Sequence, residues 1–235
     1  MRLHRFYVDK PIDSAGENSL SDAGVAHQLR DVFRLRNGDK AVFFDGSGTD
    51  SVSEIVSISK EALTFRVLET KATPRISSRK VVLAVSLIKK DNFEWVIQKG
   101  TELGVSEFIP LVSDRSEKKG FNIERARKIM IEACEQSGRG DIPVIREQTS
   151  LKDFLDVSSA EKNNVIAFHT EGPEFSVKDI SNMNDVVACI GPEGGWTDAE
   201  IDMFKEKGDP IFRLKSPILR AETAAVAIAS LLLIL

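Results

Sequence analysis

The segment that most limits the fold is IGPEGGWTDAEI, Ile190 to Ile201, together with the apolar stretch Val186 to Ile190 that leads into it. An apolar run that meets Gly191, Gly194 and Gly195 at once reads as a buried strand delivering the chain into a tight loop. Thr197 and Glu200 then stand at the spacing of a capping box, so a helix is expected with Thr197 as its N-cap. The same grammar holds from residue 81 onward. Val81 to Leu87, Glu107 to Leu111, Val144-Ile145, Val165 to Phe168 and Ile211 to Leu214 read as strands. Between and after them, Asp91 to Leu103 reads as a helix stopped by Gly104, with further helices over Ile123 to Ser137 and Ala221 to Leu235. Such alternation predicts an α/β domain with a parallel sheet and helices on both faces. Ligands of such sheets sit beyond the carboxyl ends of the strands. Three loops lie at those ends: His169-Thr170-Glu171-Gly172, Gly191 to Trp196, and Lys215 to Glu222.

The first 73 residues follow a different pattern. Arg2 to Val8, Lys40 to Phe44, Ser51 to Ile58 and Leu63 to Leu68 alternate as strands, separated by turns such as Asn37-Gly38-Asp39. One helix, Ser21 to Phe33 with Ser21 as N-cap, interrupts them. Thr70 to Lys80 is polar, contains Pro74 and lacks periodicity, which marks a linker. Two modules are therefore expected, 1–73 and 74–235.

Charge and cysteines narrow the function classes. The net charge of −4 argues against a general, charge-driven nucleic-acid binder. Residues 1–73 carry −1, residues 74–140 carry +4 and residues 141–235 carry −7, so the basic middle reads either as a confined electropositive face or as ordinary solvated helix surface. Cys134 and Cys189 each lie in an apolar stretch and read as buried thiols, with no zinc-type spacing and no metal site expected. No apolar h-region opens the chain, and the longest apolar stretch, Ala224 to Leu235, falls short of the roughly 20 residues a membrane span needs. A soluble, cytoplasmic protein is expected. Neither GxGxxG nor a Walker loop is present, which weakens dinucleotide and nucleotide-hydrolase readings. The chemistry-bearing side chains near the glycine loops are Glu193, Arg220 and Glu222. Arg220 and Glu222 sit at the mouth of a helix, either paired with each other or directed at a ligand.

Several motifs in order carry a family resemblance: HRFYV at His4 to Val8, FFDG at Phe43 to Gly46, QKGTELGV at Gln98 to Val105, EACEQSGR at Glu132 to Arg139, IGPEGGW and ILRAETA. Over almost its whole length the chain resembles the ribosomal RNA small-subunit methyltransferase E family of the SPOUT superfamily. The resemblance implies methylation of the N3 position of a uridine in small-subunit ribosomal RNA. It implies a PUA-like β-barrel over 1–73, a SPOUT α/β domain with a C-terminal trefoil knot over 74–235, a homodimer, and S-adenosylmethionine as methyl donor.

The resemblance also assigns roles. The donor would be held by Phe168, His169 and Thr170, by Ile190, Gly191, Pro192, Glu193, Gly194 and Gly195, and by Leu214, Ile218, Leu219, Ala221, Thr223 and Ala224. Leu214, Ile218 and Leu219 would form apolar walls for the adenine. Arg220 would face the reacting base, and Glu222, Glu193 or bulk water would take the ring proton. In the first module Arg5 and Tyr7 would contact RNA, while Arg30, Arg34 and Arg36, spaced along a helix and its exit, read either as a phosphate-tracking strip or as a solvated face. Glu102, Glu135, Gln136 and Arg139 match the motifs while serving helix packing or the dimer equally well. The chain departs from the family pattern at Lys215-Ser216-Pro217, where a Gly and an Arg are usual. A rival reading is a non-catalytic RNA-binding module; donor binding separates the two.

Overall fold

Alternation in the N-terminal segment produces a five-stranded mixed sheet. Its strands are β1 (Arg5–Tyr7), β2 (Glu17–Leu20), β3 (Lys40–Phe44), β4 (Thr49–Ile58) and β5 (Leu63–Ala72), in the order β1-β3-β4-β5-β2. β1 pairs parallel with β3 and the other pairings are antiparallel. The inward side chains build one apolar cluster around Phe6, Leu29, Phe43, Ile55, Leu63 and Phe65, with the Phe43 and Phe65 rings stacked at 4.0 Å between centroids. Helix α1 (Ala23–His27) starts one residue later than the sequence suggests. The Asp22 carboxylate, not the Ser21 hydroxyl, accepts from the amides of Gly24 and Val25. The helix then widens to π geometry over Gln28–Val32, with Phe33 N–H donating to the Gln28 carbonyl at 3.0 Å. It closes through Leu35 N–H on the Leu29 carbonyl, which places Arg34 in the left-handed region at φ 58°.

The computed structural model describes residues 3–74, 79–117 and 120–234. Two compact units emerge from it. The first joins the N-terminal sheet to residues 134–142, a segment that local periodicity does not connect to it. Of the expected linker, Thr70–Ala72 complete β5 and Lys80 begins the next strand, while residues 75–78 lie outside the described residues.

The second unit is α/β, as the alternation requires. In chain order it contains β6 (Lys80–Ser86), α2 (Lys90–Leu103), β7 (Glu107–Val112), α3 (Ile123–Ser137), β8 (Val144–Ile145), β9 (Thr149–Ser150), α4 (Leu151–Ala160), β10 (Val165–Phe168), β11 (Asp185–Ile190), α5 (Asp198–Lys207), β12 (Ile211–Phe212) and α6 (Ala221–Ile234). The last turn of α3 belongs to the first unit. The strands order as β12-β10-β11-β6-β7-β8, all parallel, with β9 beside β7. The chain runs outward from β6 to β8, returns to β10, and then inserts β11 against β6. That reversal makes the crevice at the carboxyl ends of β6 and β11 the natural ligand position. One face of the sheet is covered by α4, the loop before α5 and α5 itself, through Phe154, Leu155, Trp196 and Phe204. Helix α6 packs on α2, β6 and β11.

The apolar end of α6 is less available than its sequence implies. Leu232 and Leu233 are buried within this chain and the Leu232 carbonyl accepts from Arg79 Nη1 at 2.9 Å. Ile234 is 61% exposed, and Leu235 lies outside the described residues.

A glycine-walled cavity at the strand ends

Five strands of the second unit, β6, β7, β10, β11 and β12, end around one cavity of about 1070 Å³. The loop after β11 forms its floor, and each glycine there answers a separate local demand. A Cβ on Gly191 would lie 3.1 Å from the Trp196 ring, which is buried and donates its Nε1–H to the Phe168 carbonyl at 3.1 Å. A Cβ on Gly194 would lie 3.1 Å from Cδ of Arg115, whose Nη1 donates to the Gly194 carbonyl at 2.7 Å. Gly195 adopts φ 67°, a left-handed conformation that side chains disfavour, and its N–H closes a turn on the Pro192 carbonyl at 2.8 Å. Beyond the loop, Thr197 and Glu200 form the expected capping box of α5.

Phe168, His169 and Thr170 bring the end of β10 to the cavity. His169 N–H is anchored on the Phe212 carbonyl at 2.9 Å, which ties this loop to β12. After β12, Leu214, Ile218, Leu219 and Arg220 line the opposite wall, with Ile218 85% exposed. The departing triplet Lys215-Ser216-Pro217 is exposed, the Ser216 amide donating to the Leu214 carbonyl, its hydroxyl to the Pro217 carbonyl, and Lys215 Nζ lying 3.8 Å from Glu174. Arg220 then serves as the residue before α6, its carbonyl accepting from Ala224 N–H at 2.8 Å.

The structure brings Ala221, Glu222 and Ala224 of α6 to the cavity but not Thr223, which is exposed. At 100° per residue Thr223 stands roughly 200° around the helix from Ala221, on its far side. Sequence reasoning missed Lys89 and Asn92 after β6, and Arg115 and Glu117 after β7, all of which line the cavity. The rule that ligands gather at carboxyl ends covers these loops too, but no glycine cluster marks them.

Electrostatically the cavity leans acidic. Its lining carries Glu117, Glu171, Glu193, Asp198 and Glu222 against Lys89, Arg115, Arg213 and Arg220, and Arg213 is already paired with Glu174 at 2.7 Å. Arg220 and Glu222 are not paired with each other, and among the described residues the Arg220 side chain has no ion pair. Glu193 Oε1 accepts weakly from the Lys89 amide at 3.4 Å. Oε2 of Glu222 is fully buried and has no hydrogen-bond partner. A buried carboxylate oxygen left unmatched is costly, so its counterpart is expected from a bound molecule.

The candidate RNA-contacting residues of the first unit fare unevenly. The Arg5 side chain is 6% exposed. Its guanidinium donates to both Asp50 oxygens and to the carbonyls of Cys134 and Arg139, while lying over the Phe44 ring. Four of its donors are thus consumed inside the unit, so the Arg5 guanidinium serves the packing of this unit and is not presented to a phosphate. Tyr7 is half-buried, its amide held by Glu135 and its hydroxyl donating to Asp9 at 3.1 Å. Burial first, then the carboxylates of Asp9 and Asp45, push its phenol above the usual range. Arg30 is bidentate to Asp31. Arg34 and Arg36 are exposed. Glu135 also accepts from Gln28, and Arg139 pairs with Asp141 at 2.6 Å, so the EACEQSGR motif stabilises this unit.

Both thiols are buried; desolvation pushes Cys134 up to about 12 and raises Cys189 well above the normal range. Among the described residues no cluster of His, Cys, Asp and Glu is placed to hold a metal ion, and no helix is long and apolar enough to cross a membrane.

Comparison with known proteins agrees with this arrangement. A family model described as an RNA methyltransferase domain matches residues 75–233. The ribosomal RNA small subunit methyltransferase E of Rickettsia conorii is 33% identical over 233 residues, covering 96% of this chain and 93% of that one. The protein of that name from Bacillus subtilis is 30% identical, over 94% and 93% of the two chains. A crystal structure of the Neisseria gonorrhoeae ribosomal RNA small subunit methyltransferase E bound to S-adenosylmethionine superposes with a TM-score of 0.88 at 27% identity, covering 97% of this chain and 96% of that one. Matched along nearly its whole length in sequence and in fold, the chain belongs to the ribosomal RNA small-subunit methyltransferase E family.

Proposed function

We propose that this chain is an S-adenosylmethionine-dependent methyltransferase that methylates N3 of a uridine in small-subunit ribosomal RNA, acting in the cytoplasm as a homodimer. The observation that carries the reading is the acidic, glycine-walled cavity with its unmatched Glu222 oxygen. A donor bearing a sulfonium and an ammonium group suits such a lining. The cavity volume of about 1070 Å³ leaves room for a base beside the donor. The close neighbours of the glycines, together with His169, Thr170, Leu214, Leu219, Ala221 and Ala224, would hold the donor. When bound, S-adenosylmethionine supplies a methyl group on a sulfonium cation.

The chain's own residues would do the rest. Transfer to a ring nitrogen requires that the N3 proton leave and that the resulting negative charge be stabilised. Arg220, exposed at the rim and free of an ion pair among the described residues, supplies a positive charge for the uracil oxygens. Of the two candidate bases, Glu193 already accepts from the Lys89 amide, whereas Glu222 keeps one oxygen free. That difference favours Glu222. On this reading the first unit is a PUA-like, RNA-binding module using Tyr7, Arg30 and Arg34, and the second is a SPOUT domain with a C-terminal trefoil knot. The dimer face would include Trp95 of α2 and Ile234 of α6, both exposed on helices that pack together.

Calorimetry with S-adenosylmethionine, followed by mass spectrometry of ribosomal RNA after incubation with protein and donor, tests the proposal. Donor binding and N3-methyluridine are expected. No binding at millimolar donor would return the chain to a non-catalytic RNA binder. Sedimentation of a 26.0 kDa species at micromolar concentration would remove the dimer.

A further inference from the structure

A capping-box glutamate ordinarily uses its carboxylate on the amide of its own N-cap residue. Glu200 does this and more. Its Oε2 accepts from Thr197 N–H at 2.8 Å, while Oε1 accepts from the amide of Asp114 at 2.9 Å, 86 residues away in the loop after β7. Glu200 is 3% exposed and does not line the cavity. Thr197 Oγ1 lies 3.1 Å from Asp114 Oδ2 and 3.2 Å from Glu200 Oε2, so its single proton serves one carboxylate at a time.

The residue after Asp114 is Arg115, which grips the Gly194 carbonyl at 2.7 Å and places its Cβ, Cγ and Cδ within 3.1–3.8 Å of where a Gly194 Cβ would stand. The loop that carries them is itself fixed. Ser113 N–H donates to Ser116 Oγ, Ser113 Oγ to Ser86 Oγ at 3.0 Å, and Glu117 N–H to the Leu87 carbonyl at 2.8 Å. A closed circuit therefore runs from Glu200 through Asp114 and Arg115 to Gly194, and back along the chain to Thr197.

We infer that Glu200 is a positioning residue of the cavity: acting through Asp114 and Arg115, it fixes the Gly194 carbonyl and the left-handed turn at Gly195. Capping of α5 alone would need only the Thr197 bond. The second oxygen, spent on a distant loop, converts a helix cap into a strut between two cavity walls. The inference rests on the reading of this cavity as the donor site, and the test separates the two.

The full-length protein, Glu200→Gln, Arg115→Ala, Arg115→Lys and the Glu200→Gln/Arg115→Ala double variant are compared by calorimetry with S-adenosylmethionine and by hydrogen exchange without it. Gln keeps the size of the side chain but can accept from only one of the two amides. Loss of a hydrogen bond to a charged group is worth about a factor of ten, so each of Glu200→Gln and Arg115→Ala is expected to raise the donor Kd about tenfold. Because both break one circuit, the double variant should remain near that level instead of reaching about a hundredfold. Arg115→Lys, which retains a donor and the methylenes, should recover most of the affinity. In Glu200→Gln the donor KM should rise while turnover at saturating donor changes little, and amides 191–196 should exchange faster. Unchanged donor affinity in folded Glu200→Gln, or effects that multiply in the double variant, would overturn the inference. Should Glu200→Gln fail to fold, the exposed Arg115→Ala decides, since unchanged protection of amides 191–196 there refutes the circuit. If the wild type binds no donor, the donor reading fails alone and the exchange data still decide the strut.

Discussion

Arg220 carries its charge at the cavity rim without an ionic partner among the described residues, while the Arg5 guanidinium is buried and bonded on several sides. The two arginines should therefore fail in different ways. Arg220→Ala is expected to lower single-turnover methylation by about 10²–10³, the usual cost of losing a preorganised charge at a developing anion, with a donor Kd within about threefold of wild type. A near-normal rate at saturating donor and RNA would take Arg220 out of the chemistry. Arg5→Ala leaves half-buried Asp50 and two carbonyls unmatched; breaking a fully buried ion pair costs about 3–5 kcal/mol, and the 21% exposure of the Asp50 side chain places the loss at or below the lower end of that range. Urea unfolding should show that loss, and a cost below about 1 kcal/mol, typical of exposed pairs, would contradict the burial seen here. The thiols make a third case. With Cys134 pushed up to about 12 and Cys189 also raised, both stay protonated at pH 8, so iodoacetamide should label neither in the native protein and both in denaturant. Labelling of Cys134 in the native state at a free-thiol rate would refute it.

Elements show where local sequence suffices and where it does not. Helix α2 ends at Gly104 with φ 105°, its N–H bonding the Gly100 carbonyl at 3.1 Å. Gly104→Ala should cost about 1–2 kcal/mol in urea unfolding, because a Cβ is strained in this region. A neutral substitution would mean that the helix end relaxes. Helix α3 and strand β10 run between the very residues that periodicity assigns, since their apolar faces meet the core directly. β2 was not legible: ENSL has no apolar alternation and holds its place by pairing with β5. Nor was the π turn after α1, which Arg34 accommodates by an unusual backbone angle and not by a glycine. In the site, the glycine loop was visible because positive φ and close approach demand glycine. Arg115 and Asn92 were not, because their part depends on which loops the parallel sheet gathers. The reason for the glycines also shifts. Gly194 is crowded by Arg115 and Gly191 by Trp196, so their first constraint is protein packing, with the ligand surface following from it.

On the scale of the whole molecule, the boundary near residue 73 is incomplete, because the first unit also needs 134–142. Removing residues 1–73 would take away Arg5, which binds the Cys134 and Arg139 carbonyls, and the Tyr7 amide that Glu135 accepts. Hydrogen exchange of a fragment spanning 74–235 should show amides 134–142 losing the protection they have in the full chain, and equal protection would show that the segment holds its shape without the sheet. The split composition of the first unit also bears on how the protein is made. Its two pieces end at residues 74 and 142, which are 68 residues apart. At a synthesis rate of roughly 5–20 residues per second, the nascent N-terminal sheet waits on the order of 3–14 s for its last segment to be made. During that interval the Arg5 side chain lacks the carbonyls that complete its coordination, and a contact 129 residues distant in sequence must still close. The N-terminal sheet thus cannot finish folding until residue 142 has been made, and slow translation through 75–142 should prolong its exposure to proteases and chaperones.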